Sequence, residues 1–136
     1  MTSTIKRAVV IAALGLGFAA PAIAGDAAAG EKTFKKCKSC HEIKAPDGTQ
    51  IYKGGKTGPN LYGIIGAQAG GHKQSSKGLT AVGEGGLVWT EELLAEYVAD
   101  PSKFIKTHGG EGRSKMSFKL KKGGDDVAAY LASVAQ

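Results

Sequence analysis

Five consecutive residues, Cys37-Lys38-Ser39-Cys40-His41, constrain this chain more than anything else in it, because they contain both of its cysteines. The C-x-x-C-H spacing is that of covalent haem attachment. On a helical turn, residues three and four apart share a face. Cys37 and Cys40 therefore reach the two vinyl groups of one porphyrin edge, and His41 is carried beneath the ring to the iron. A disulfide would form in an oxidising compartment but gives His41 no purpose. A thioredoxin-like pair belongs beside a βαβ pattern, which is missing here, and a structural zinc site needs a second ligand pair. The chain also holds 21 glycines in 136 residues, so much of it reads as loop and the core it builds alone is thin. An apolar haem in the middle fills that deficit.

Haem iron in electron-transfer proteins takes a second protein ligand, and a His/Met pair favours a high potential. The sequence has two methionines, Met1 and Met116. Met1 sits in a leader, so Met116 is the expected second ligand. Its setting, Ser114-Lys115-Met116-Ser117-Phe118, is too polar for the gap-filling core role that methionine otherwise plays. His72 and His108 are the rivals, and both stand among glycines and polar residues as loop histidines do.

Lys6 and Arg7 precede an apolar run of 13 residues, Ala8 to Ala20, and Ala22-Ile23-Ala24 offers small residues to a signal peptidase. The run is short of the roughly 20 residues a membrane span requires. Residues 1–24 are therefore expected to be a signal peptide cleaved after Ala24, and 25–136 the functional domain, placed in the periplasm. Removing Lys6 and Arg7 from the 18 basic residues, against 12 acids, leaves a net charge of +4. That modest excess suits an acidic protein surface, and no nucleic-acid signature accompanies it.

The domain reads as helices joined by glycine-rich connections. Asp26 caps a first helix through Phe34 to about Ser39. Residues 45–74 read as loops and turns. Thr90 caps a helix with Glu91 and Glu92 in its first turn and Leu93, Leu94, Tyr97 and Val98 on its apolar stripe, ended by Pro101. A short helical turn is expected over Ser102 to Lys106. A last helix starts near Asp125 and Asp126 and buries Val127, Tyr130, Leu131 and Val134. No strand alternation is evident.

With these pieces in order, the chain resembles the class I cytochromes c, and most closely the α-proteobacterial cytochrome c2 type. The likeness rests on Cys37 to His41, on Thr57-Gly58-Pro59-Asn60-Leu61-Tyr62-Gly63, on Trp89-Thr90, on Lys115-Met116 with Phe118, and on Ala129-Tyr130-Leu131. It spans the whole domain, and the insert from Ala45 to Lys56 matches the longer bacterial form. The resemblance implies an all-α cytochrome c fold, with three main helices and loops wrapping one covalently bound haem c. It implies that the Pro59 carbonyl orients His41 and that Gly30 lets the first and last helices cross beside Phe34 and Tyr130. It further implies that Trp89 directs its indole N–H at a haem propionate, and that Phe118 covers the methionine side.

The implied function is one-electron shuttling by a periplasmic monomer, from a cytochrome bc1 complex to a photosynthetic reaction centre or a cytochrome oxidase. Lys36, Lys56, Lys115, Lys121 and Lys122 would ring the docking face. A haem enzyme or gas sensor with an open sixth position is the rival from another class. A subunit tethered to a larger complex is a second rival. Two departures from relatives stand out: Ala67 replaces an arginine, and residues 71–88 lack a propionate-bonding tyrosine. Gln68, Lys73, Ser75 and Ser76 are the candidate substitutes.

Overall fold

In the computed structural model, residues 24–136 are described. The signal peptide expected over residues 1–24 lies outside them except for Ala24, which is exposed. Asp26 opens α1 (Ala27–Phe34) by accepting the N–H groups of Ala28 and Ala29 on its carboxylate, at 2.9 and 3.1 Å. The expected extension to Ser39 is not α-helix. From Thr33 to His41 the chain continues as tight turns, with the Lys36 N–H on the Thr33 carbonyl and the Cys40 N–H on the Cys37 carbonyl. A returning loop ties down the turn through its carbonyls: Gly55 N–H binds Lys38 and Gly58 N–H binds Cys40, each at 2.8 Å.

α5 (Gly124–Ser133) crosses α1. At the crossing, a Cβ on Gly30 would collide with the Asp126 carbonyl and approach the Tyr130 Cβ to 2.8 Å, so only glycine admits this contact. Phe34 packs beside it, with ring centroids 5.8 Å from Tyr130 and 4.8 Å from Tyr52. The Asp26 N–H donates to the Asp126 carboxylate at 2.8 Å, tying the start of α1 to α5. Val127, Tyr130 and Leu131 are buried as expected, and Val134 is half-buried against the same core.

α3 (Glu91–Ala99) begins at Thr90, whose hydroxyl accepts the Leu93 N–H, and packs on α5. Pro101 ends α3 and also starts α4 (Pro101–Thr107), because proline fits the first helical position. Asp100 caps α4 through the Lys103 N–H at 3.1 Å. Trp89, Tyr97 and Phe104 form one buried aromatic cluster, with centroids 5.1 to 5.4 Å apart.

Two elements depart from the sequence reading. The insert is a small antiparallel hairpin, β1 (Ile43–Lys44) and β2 (Gln50–Tyr52), turned by an Asp47 carboxylate that accepts the Thr49 N–H and by Gly48 at φ +93°. α2 (Lys77–Glu84) forms in a stretch where the sequence reading named no element. Gly78 and Gly83 face the Glu111 and Ala69 carbonyls at distances no side chain would allow, so they serve close packing rather than flexibility. Among the described residues, α1, α3 and α5 are the frame, with α2 and α4 closing the far side.

Candidate haem site

The Cys37–His41 turn, the loop that returns over it and the Ser114–Phe118 segment enclose one cavity, with about 930 Å³ between protein atoms, part of it open to solvent. Cys37, Cys40, His41, Pro59, Met116 and Phe118 all line it. The motif turn has the expected geometry: the Cys37 carbonyl accepts the N–H of Cys40 at 3.1 Å and of His41 at 3.0 Å. Both cysteines are free thiols. Burial, reinforced by the neighbouring Cys40, pushes the Cys37 thiol up to about 11, while Lys36 pulls the other way. Cys37 thus keeps its proton at neutral pH, which disfavours a thiolate-bound metal there.

His41 is nearly buried, and its Nδ1 lies 2.8 Å from the Pro59 carbonyl. A carbonyl only accepts, so Nδ1 carries the proton and Nε2 keeps its lone pair. Among the described residues Nε2 meets no hydrogen-bond partner. Burial lowers the basicity of the imidazole, partly offset by the Pro59 hydrogen bond. The result is a neutral, oriented ring with one nitrogen available to a metal. Gly58 fixes its plane from the other side, since a Cβ there would fall on the imidazole atoms.

Met116 is half-buried, and a hydrogen-bond relay positions it. Its N–H donates to the Ser114 hydroxyl at 3.1 Å, that hydroxyl pairs with the Tyr97 hydroxyl at 2.9 Å, and the Ser114 N–H donates to the Ser102 hydroxyl at 3.1 Å. The loop is thereby fastened to α3 and α4. Tyr97 and Ser114 were not singled out in the sequence as site residues. The available signal was a tyrosine on an apolar helical stripe, whose hydroxyl needs a partner when buried. The rival histidines are elsewhere: His108 bonds Glu96 at 3.2 Å and stacks on Phe104, and His72 is not on the lining.

Trp89 is 4% exposed, and it too is absent from the lining, packed instead against Tyr97 and Phe104. Phe118 is 42% exposed at the cavity mouth, a large apolar surface to leave in water. Lys36 and Lys115 flank that mouth, and Lys56 adjoins the lining residue Thr57. Lys121 and Lys122 instead border a separate groove with Glu92, Glu96 and Asp125.

The donor set fits haem c: two adjacent thiols, a neutral imidazole with a free nitrogen and a thioether face one largely apolar space. No protein-family model matches the chain. Relatives of known name do. Cytochrome c2 of Rhodobacter capsulatus is 56% identical over 133 residues, spanning 95% of this chain and 96% of that protein. Cytochrome c-550 of Paracoccus denitrificans is 48% identical, spanning 90% of this chain and 83% of that one. Among solved structures, cytochrome c2 of Rhodobacter capsulatus superimposes with a TM-score of 0.79 at 54% identity, covering 82% of this chain and all of that one. Ferric cytochrome c-550 of Paracoccus versutus gives 0.78 at 47% identity, covering 82% of this chain and 99% of that one.

Proposed function

The chain belongs to the cytochrome c2 family of class I cytochromes c, electron-transfer proteins with one covalently attached haem c rather than enzymes, and on that footing we propose that its haem is bonded to Cys37 and Cys40 and ligated by His41 and Met116. The observation that carries this reading is the protonated Nδ1 of His41, 2.8 Å from the Pro59 carbonyl, which leaves Nε2 facing the cavity that Met116 also lines. Haem iron supplies a one-electron couple between ferric and ferrous states. His41 and Met116 would hold the iron, and the protein would keep their surroundings unchanged between the two states. The Pro59 carbonyl holds the imidazole tautomer and raises its donor strength. The Tyr97–Ser114 relay holds the Met116 loop, so the thioether need not move when the charge changes. Two protein ligands leave no position for substrate, in keeping with transport rather than catalysis.

In this reading the protein is a periplasmic monomer, exported by residues 1–24, that takes electrons from a cytochrome bc1 complex and delivers them to a photosynthetic reaction centre or a cytochrome oxidase. The exposed Phe118 between Lys36 and Lys115 supports docking at the cavity mouth, where an apolar contact is ringed by positive charge. Lys56 would extend that ring, and Lys121 and Lys122 would form a more distant part of it.

Visible spectroscopy of the purified holoprotein tests the ligation. The oxidised form is expected to show the weak far-red band of a thioether–ferric bond, and to lose it in Met116→Ala. A wild-type protein without that band, and open to cyanide at neutral pH, would refute the ligation.

A further inference from the structure

Met116 sits on a loop, and a ligand on a loop holds its place only as well as the surrounding hydrogen bonds fix that loop. The moorings of this loop converge on the corner where α3 gives way to α4. Downstream of Met116, the Leu120 N–H donates to the Val98 carbonyl at 2.7 Å and the Lys119 ammonium to the Asp100 carboxylate at 2.8 Å. Upstream, Ser114 is bound twice, its hydroxyl to the Tyr97 hydroxyl and its N–H to the Ser102 hydroxyl. Residues 111–113, which lead into Ser114, are exposed, with Gly112 at φ +79°. The upstream arm therefore depends on Ser114.

The two bonds to Ser114 do different things. The Tyr97 hydroxyl fixes the Ser114 side chain, whose oxygen also takes the Met116 N–H at 3.1 Å. Ser102 fixes the main chain. Without it, the Ser114 backbone is free to turn about its Cα–Cβ bond while the Tyr97 contact holds, and Met116 turns with it. Ser102 is half-buried in the first turn of α4, yet α4 does not need its hydroxyl: Asp100 is the cap, accepting the Lys103 N–H, and Pro101 has no N–H to satisfy. We infer that Ser102 is a positioning residue for Met116: by holding the Ser114 main chain against α4, it limits how often the thioether leaves the iron. This rests on the ligation proposed above.

The other polar side chains of α4 and its end are turned elsewhere. Lys103 and Lys106 are exposed, the Thr107 hydroxyl returns to the Lys103 carbonyl at 3.0 Å, and His108 pairs with Glu96. An added ligand displaces Met116 only from the open state, so its apparent affinity scales with the open fraction. Losing one hydrogen bond that the closed loop makes raises that fraction about fivefold. Alanine at position 102 is also the better helix former, so the substitution does not weaken α4 itself.

Imidazole titration of the oxidised holoprotein at neutral pH, followed by loss of the far-red band, reads the open fraction. Ser102→Ala is expected to bind imidazole about fivefold more tightly than wild type. Ser102→Thr keeps the hydroxyl and should match wild type, and Lys103→Ala, the neighbouring control, should not move the affinity. In a Met116→Ala background no thioether has to be displaced, so adding Ser102→Ala should change nothing when the titration is followed by the main haem absorption. An unchanged affinity in Ser102→Ala, the same gain in Ser102→Thr or Lys103→Ala, or a gain that persists without Met116 overturns the inference. A wild type lacking the far-red band would instead refute the ligation reading itself, and this inference with it.

Discussion

His41 and Gly58 are packed so closely that the imidazole occupies the space a side chain at position 58 would need. The same loop supplies the Pro59 carbonyl that holds Nδ1 and the Gly58 N–H that holds the Cys40 carbonyl. Gly58→Ala is therefore expected to push the ring off its line toward the cavity and to cost about 1–3 kcal/mol, the usual range for overpacking. Denaturant unfolding of the holoprotein, followed by haem absorbance, measures it. A variant as stable as wild type would show that the loop yields freely.

Met116→Ala is expected to retain the haem, because the thioether bonds at Cys37 and Cys40 do not depend on the sixth ligand. The potential should fall, since methionine favours ferrous iron, and cyanide should bind at neutral pH. Potentiometry and cyanide titration read both effects, and an unchanged potential in a protein still closed to cyanide would assign the ligand elsewhere.

Gly30→Ala places a methyl group against the Asp126 carbonyl at the α1–α5 crossing. The helices must separate or shift, so a loss of about 1–3 kcal/mol is expected. Gly71→Ala is the control, since its nearest neighbour would be the Gln68 carbonyl at 3.4 Å, and a change within about 0.5 kcal/mol is expected there. Chemical denaturation of both variants makes the comparison.

Asp100 caps α4 and pairs with Lys119 at 2.8 Å, and these contacts, the Lys119 hydrogen bond foremost, hold its carboxyl below the usual value. A depressed folded value means that the stabilisation is present above the ordinary carboxylate range and is lost as pH falls through the folded value. Asp100→Asn keeps a capping oxygen but has no charge to lose. The difference in thermal midpoint between wild type and Asp100→Asn is expected to shrink on acidification, and a difference constant with pH would remove the pair from the acid response.

Docking at the cavity mouth predicts a steep salt dependence of electron transfer with the cytochrome bc1 complex, since exposed charges are screened beyond about 8 Å at physiological ionic strength. Lys115→Glu is expected to slow the second-order rate about tenfold at low salt. Lys44→Glu and Lys77→Glu, away from the mouth, are expected to have much smaller effects. Stopped-flow rates across an ionic-strength series decide, and flat rates would rule out steering.

Local chemistry was readable from the residues in order. The C-x-x-C-H turn, the Asp26 and Thr90 caps and the apolar stripes of α3 and α5 depend on spacings of a few residues, which the sequence states directly. The family likeness carried the reading further, to Pro59 and Gly30, because it imported contacts already made in a folded relative. What lay beyond was decided by groups brought together from distant parts of the chain. The first helix gives way to tight turns after Phe34, and a loop 17 residues further along, Gly55 to Lys38, binds the turn's carbonyls, as Gly58 does for Cys40. The sequence reading named no element at α2, where the Glu111 and Ala69 backbones press on Gly78 and Gly83. The Tyr97 hydroxyl had no visible purpose until Ser114 was placed beside it. Trp89 is enclosed by Tyr97 and Phe104, and Gln74, Ser75 and Ser76 join the cavity lining from the start of α2. Spacing along the chain determines which residues share a turn, whereas only closure of the chain determines which carbonyl, ring or hydroxyl meets them there.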